Sequence, residues 1–287
     1  MTAEMLTMRD GSAVYTERHD PPEGAVKGVI QFVHGFGEHT GRYAELAGRF
    51  TAKGFAFVIH DQRGHGQTPG RRGVAPRYGT FLDDLGQIRD GIGVLYPGAP
   101  VFLYGHSMGG NISLSYLLER SQERHAAAVI GSPWLRLYKP FPLAMKIMAG
   151  MLGKVSPHLS ATNKLLLETL THDPEIIGAV KNDLAYHSTL SLRLFSEITR
   201  QGELAIANAE RLKLPALLLC AGQDKVVCPQ AINQLAANNG GVTLISYPEQ
   251  YHELHNELNR ADVFDDVYKF IADVSALWIR SYTDSGE

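Results

Sequence analysis

The stretch VFLYGHSMGGNISLSYLLER, residues 101–120, constrains the fold more than any other part of the chain. Val101, Phe102, Leu103 and Tyr104 read as a short buried strand, and Ile112, Leu114, Tyr116, Leu117 and Leu118 then recur with helical spacing. Between them, Gly105-His106-Ser107-Met108-Gly109 fits G-x-S-x-G at a strand-to-helix corner. Such a corner holds the serine in a strained backbone conformation, with neighbours two residues away packed too closely for side chains. The hydroxyl then stands above the sheet, and the next backbone N–H, that of Met108, points into the same space. The helix starting there adds its positive dipole end to any negative charge that develops. A packing turn of glycines alone would need no serine at its apex.

The same strand-then-helix rhythm runs through the chain. GVIQFVH (28–34), FAFVIH (55–60), AAVIGS (127–132), PALLLCAG (215–222) and VTLISY (242–247) are nearly continuous apolar runs, which suits a parallel sheet covered on both faces. Segments around Glu4–Met8 and Val14–Arg18 alternate more and suit an antiparallel start. Helical patterns fall at about 43–53, 81–95, 109–120, 229–238 and 260–280. The pattern predicts one doubly wound α/β domain with a mostly parallel, eight-stranded sheet and helices on both faces. Residues 133–214 break the rhythm, being far longer than a crossover needs. Within them LAMKIMAGML, TNKLLLETL, DPEIIGAVKNDL and SLRLFSEITRQGELAIANAE look helical, so 133–200 are expected to form an inserted helical lid, with 1–132 and 201–287 as the core. In FPLAMKIMAGMLGKV, Phe141, Leu143, Met145, Ile147, Met148, Met151 and Leu152 cover most of a helix, with Lys146 the charge near its centre. A helix apolar nearly all round is expected to be buried lid core. A lipid-facing surface or the wall of an acyl channel are the alternatives.

At 44 % hydrophobic and 20 % charged, with a net charge of −3, the chain has no general pull toward nucleic acid. Arg63, Arg71, Arg72 and Arg77 cluster in a glycine-rich loop, read as a solvated patch rather than a phosphate site. MTAEMLTMRDGS lacks the apolar core of a secretory signal, and no run approaches the ~18 apolar residues of a membrane span, so a cytoplasmic place is expected. Cys220 and Cys228 give neither a disulfide framework nor a metal spacing.

A serine hydroxyl needs a base, and the base needs an orienting acid. Behind a G-x-S-x-G corner the chain order should be Ser, then Asp or Glu, then His, each after a strand. LLLCAGQDKVV supplies Asp224, which could alone be a turn-former, and ISYPEQYHELHNE supplies His252. The nearby His255 makes H-E-L-H, not the H-E-x-x-H of a zinc site, and no further ligands stand at metal spacing. His34, His60, His65 and His106 are expected to bond to backbone. Carbonyl attack also needs two N–H donors for the oxyanion. Met108 offers one, and Phe36 in HGFGEHTGRY offers the other, because Gly35 and Gly37 let that loop turn inward. Gly35-x-Gly37 is not continued as G-x-G-x-x-G, so a nucleotide site is not expected.

HGFGEHTGRY, HDQRGHGQTPGRRG, GHSMGG, GQDKVV and YHELHNE together resemble the monoglyceride lipase and lysophospholipase group of the α/β-hydrolase superfamily, over about residues 10–280. The resemblance implies a lid-bearing serine esterase with Ser107, Asp224 and His252 as nucleophile, acid and base, and Phe36 and Met108 as oxyanion donors. It implies that Glu38, Arg42 and His255 border the polar pocket for the leaving alcohol, although Glu38 and Arg42 could equally form an internal ion pair. The substrate expected is a small lipid ester, monoacylglycerol first, with lysophospholipid and short-chain ester as alternatives. An aminopeptidase using Glu168, Glu175 and Asp183, or a ligand-binding protein without catalysis, are rivals. No cofactor or metal is called for, nucleic acid is not a partner, and the lid could touch a membrane or micelle transiently. The chain departs from the group's pattern at Thr68, where serine is common, and in NDLAYH, where a proline often follows the aspartate.

Overall fold

A computed structural model describes residues 1–120, 122–162 and 165–284, and the side chains of these except Leu143, Lys146, Ile147 and 279–284. Strands β1 (Thr2–Thr7) and β2 (Ala13–His19) form an antiparallel hairpin. Then β3 (Gly28–Val33), α1 (Ala44–Ala52), β4 (Phe55–His60), α2 (Gly79–Leu95), β5 (Val101–His106), α3 (Met108–Glu119) and β6 (Ala127–Gly131) alternate. The long connection holds α4 (Leu143–Val155), β7 (Ser160–Thr162), α5 (Pro174–Asn182), β8 (Thr189–Ser191) and α6 (Leu192–Ala207). The chain returns to the sheet through β9 (Ala216–Ala221), α7 (Pro229–Ala237), β10 (Val242–Tyr247) and α8 (Arg260–Asp284).

The large sheet runs β1-β2-β4-β3-β5-β6-β9-β10, parallel from β4 to β10. Every residue of β3, β4, β5, β6 and β9 is buried, as their unbroken apolar runs require. Alternate residues serve opposite faces: Phe102 and Tyr104 pack toward α1 and α8, Leu103 toward α2 and α3. β10 differs from the expected buried strand, because it is an edge strand and only Tyr247 is buried in it. Strand order reverses where β3 lies between β4 and β5, so the loops after β3 and β5 open together at the carboxyl end of the sheet.

In the insertion, the described residues of TNKLLLETL do not form the expected helix. Ser160–Thr162 pairs with Thr189–Ser191, and a short 3₁₀ turn occupies Leu167–Thr169, while Asn163 and Lys164 lie outside the described residues. The boundary expected at residue 200 falls inside α6. That helix is unbroken because its stripe Leu194, Ile198, Gly202 and Ala205 packs down along one face, and Gly202 lies against the Leu135 backbone. The expectation that α4 is lid core is also overturned. α4 packs on α6 through a narrow face of small residues, Ala149 and Gly153, leaving Met145, Met148, Met151, Leu152 and Val155 exposed. A single helix laid over one neighbour has only one face to bury. Leu143, Lys146 and Ile147 lie outside the described side chains. No helix among the described residues is long and apolar enough to cross a membrane.

Candidate active site

Ser107 sits between β5 and α3 with φ 54° and ψ −115°, a conformation rare for a residue with a side chain and costing about 1–3 kcal/mol. Surrounding bonds enforce it: its N–H donates to Gly131 O (3.0 Å), and its carbonyl accepts from Asn111 N (3.1 Å) and Trp134 N (2.9 Å). The glycines answer to close approach. A Cβ on Gly105 would lie 2.4 Å from Ser113 Oγ, and one on Gly109 only 2.0 Å from Val33 O. The α3 terminus is thus pressed against the end of β3, and the serine side chain is pushed out above the sheet.

The loops after β9 and β10 bring in two partners. Asp224 Oδ1 is fixed by the N–H groups of Val226 (2.7 Å) and Val227 (2.9 Å), and its Oδ2 lies 2.7 Å from His252 Nδ1. A carboxylate only accepts, so Nδ1 carries the hydrogen and Nε2 is free to accept from the Ser107 hydroxyl, 2.9 Å away. All three residues are at most 5 % exposed. Burial pushes His252 down, but the Asp224 charge and hydrogen bond outweigh it and hold the imidazole above its ordinary value of 6.5. A hydroxyl bonded to an imidazole that a carboxylate steadies can lose its proton as it attacks a carbonyl.

Beneath this line lies a saturated buried network. Arg42 bonds Glu38 and reaches both oxygens of Glu253 (3.0 and 2.8 Å), while Glu38 accepts from Gly35 N (2.6 Å) and Tyr43 OH. Burial alone raises both carboxyls. In Glu253 the Arg42 charge wins and holds it well below the carboxylate range, whereas Glu38, repelled by Glu253, is pushed up to about 7. His255 stacks on Tyr43 (centroids 5.0 Å) and meets His106 edge-on (4.7 Å). His34 and His65 bond to the carbonyls of Gly35 and Arg63. His106 instead packs its ring between His252 and His255.

A niche of about 40 Å³ beside Ser107 is lined by Phe36, Glu38, Tyr186 and His252, among others. Met108, the first residue of α3, directly follows the serine, where a helix N–H has no intrahelical acceptor. Arg42 and His255 do not line this niche; they face a separate small crevice with Glu45, Arg49 and Arg260. Of the three residues expected at the alcohol, Glu38 lines the niche, while Arg42, bonded to Glu38 and Glu253, and His255 line the crevice. Glu253 and Tyr43, which complete that network, went unassigned although they stand beside His252 and Arg42 in sequence. The niche shares Trp134, Leu137, Leu165 and Val226 with a chamber of about 630 Å³, otherwise walled mainly by Phe141, Met145, Leu166, Leu190 and Phe195. That volume lies within the range of small-molecule sites.

A sheet in this order, with a strained serine at its central corner facing a histidine and a buried aspartate from later loops, defines the class of α/β-hydrolases. Residues 24–259 match the family described as serine aminopeptidase, S33 (Hydrolase_4). The chain is 31 % identical over 265 residues to a monoacylglycerol lipase of Mycolicibacterium smegmatis, covering 90 % of this chain and 91 % of that one. It is 31 % identical over 285 residues to the monoglyceride lipase of Homo sapiens, covering 94 % and 90 %. The crystal structure of Paleococcus ferrophilus monoacylglycerol lipase superposes with a TM-score of 0.80 at 28 % identity, covering 92 % and 98 %. An abhydrolase domain-containing protein of Dictyostelium discoideum is 30 % identical over 252 residues, and the chain spans about a quarter (26 %) of its length. The chain belongs to the Hydrolase_4 family of α/β-hydrolases, within the lipase and esterase group of serine hydrolases.

Proposed function

We propose that the protein hydrolyses single-chain lipid esters, monoacylglycerols foremost, with Ser107 as nucleophile, His252 as base and Asp224 as its orienting acid. The observation that carries this reading is the bonded line from Ser107 through His252 to Asp224, standing where a small niche that includes Glu38 meets a larger apolar chamber. Ser107 Oγ attacks the ester carbonyl while His252 Nε2 takes its proton. The Phe36 and Met108 N–H groups hold the oxyanion, and Asp224 stabilises the imidazolium. His252 returns the proton to the leaving alcohol as the C–O bond breaks, and water then cleaves the acyl-enzyme by the same steps in reverse. The acyl chain lies in the chamber. The alcohol faces the niche, where Glu38 is the lining residue suited to meet it. The exposed Met145, Met148 and Met151 beside the chamber suit contact with a micelle or membrane as lipid enters.

A lysophospholipid is the second reading, favoured by Lys139 and Lys225 on the chamber wall. An aminopeptidase has less support: Glu168 pairs with Lys181, Asp183 with His39, and neither they nor Glu175 line either cavity. The test compares a long-chain monoacylglycerol, lysophosphatidylcholine, p-nitrophenyl butyrate and an amino-acid naphthylamide, with Ser107→Ala as control. The monoacylglycerol should give the highest kcat/KM. A naphthylamide preference would overturn the lipid assignment, and equal rates in the Ser107→Ala variant would remove this site from catalysis.

The pH dependence follows from His252. Only the neutral imidazole can accept the serine proton, so kcat/KM falls as pH drops through its pKa. Because that pKa is raised, the acid limb should have its midpoint above pH 6.5. Asp224→Asn should shift the limb downward and lower kcat by about 10⁴-fold. A wild-type midpoint near pH 5 would contradict the Asp224 contribution.

A further inference from the structure

Between α5 and α6 the chain crosses the molecule as a strap, Asp183–Ser191, and four contacts tie it to the loops after β3 and β4. His187 N–H donates to Gly37 O (3.0 Å), and His187 Nε2 lies 2.9 Å from Gly64 O. His39 Nε2 meets Asp183 Oδ2 at 2.7 Å, and Ser191 N donates to Gly73 O (3.0 Å). The backbones touch. A Cβ on Gly37, whose φ is +79°, would lie 2.2 Å from His187 O, and one on Gly73 1.8 Å from Thr189 O. The His187 ring meets the Phe36 ring edge-on (5.6 Å, 88°) and packs against His65 (4.7 Å).

Resting on the esterase reading, we propose that His187 is a positioning residue: from the lid, it fixes the Phe36–Gly37 segment and so sets the oxyanion donor. The loop bearing Phe36 has glycine on both sides and would sample many conformations if left alone. An oxyanion donor works only when it is held in place before charge develops. His187 supplies that hold through its N–H on the Gly37 carbonyl and through a ring wedged between Phe36 and the Gly64 loop. Because carbonyls only accept, Nε2 carries the hydrogen toward Gly64 O. Burial pushes the His187 imidazole down to about 4, so the neutral ring persists across the working pH range.

Three variants test the proposal on p-nitrophenyl butyrate and on a trifluoromethyl ketone, whose tetrahedral adduct places an oxyanion in the hole. His187→Ala should lower kcat about 10- to 100-fold, in keeping with a displaced catalytic group, with KM changed less than about threefold. The affinity for the ketone should fall by the same factor as kcat/KM. His187→Gln, which can still donate to Gly64 O, should recover most of both losses. His187→Leu fills the space without a donor and carries the test if the alanine variant does not fold; it should behave as His187→Ala is expected to. Unchanged kcat in the Ala or Leu variant, a loss of kcat without a matching loss of ketone affinity, or no recovery with Gln would overturn the role. Wild-type protein inert toward both the ester and the ketone would instead remove the esterase reading itself.

Discussion

Replacing His252 with alanine is expected to lower kcat/KM for a p-nitrophenyl ester by about 10⁶-fold, close to the loss from Ser107→Ala, because the two act as a unit. Nε2 is the group within hydrogen-bond reach of the hydroxyl, at 2.9 Å, and water cannot replace a base held in a buried line. His255→Ala should behave differently. That ring stacks on Tyr43, meets His106 edge-on and does not line the niche, so its loss should destabilise the fold by about 2–4 kcal/mol through a cavity. Activity should then fall by less than about 100-fold, since the Glu38–Tyr43 contact loosens rather than disappears. Steady-state kinetics with thermal unfolding of both variants checks the pair; exchanged phenotypes would mean the base is misassigned.

Gly109→Ala should be strongly damaging for a substitution that adds one carbon. Its Cβ would stand 2.0 Å from Val33 O, a backbone atom in a fully buried strand that has nowhere to move. Overpacking of this severity costs about 3 kcal/mol and should lower Tm by about 5 °C, with loss of esterase activity as the α3 terminus is displaced. Gly91→Ala is the control. It lies in α2 with open space around its Cβ, and should stabilise by about 0.5–1 kcal/mol through helix propensity. A Gly109→Ala protein with wild-type Tm would mean the corner is looser than its contacts require.

What the sequence makes legible follows from local physics. β3, β5 and β9 announce themselves because burial on both faces demands unbroken apolar runs, and the corner at Ser107 is legible because glycine is obligatory at Gly105 and Gly109. Asp224 and His252 are found by order, each following a strand. β10 carries the same apolar signal yet sits at an edge, since composition does not say which strand is last. The insertion is less legible. TNKLLLETL has helical spacing, yet its first residue, Thr162, ends strand β7 and Leu167–Thr169 form only a 3₁₀ turn. α4 is apolar all round yet half bare, because nothing local reveals that it rests on a single neighbour. His187 has no local signature, since its partner Gly37 lies far away in sequence and the two meet only in the folded chain. Arg42 could be read as a ligand for the alcohol or as half of an ion pair. The structure shows it bonded to a second carboxylate, Glu253, as well as to Glu38.

The most direct measurement is mass spectrometry with peptide mapping after exposure to a fluorophosphonate, which phosphonylates activated serines. One adduct per chain on the peptide containing Ser107 is expected, with activity lost in step with labelling, and the His252→Ala protein should label far more slowly. An adduct on another residue, or hydrolysis undiminished once Ser107 is fully modified, would contradict the claim that this hydroxyl performs the reaction.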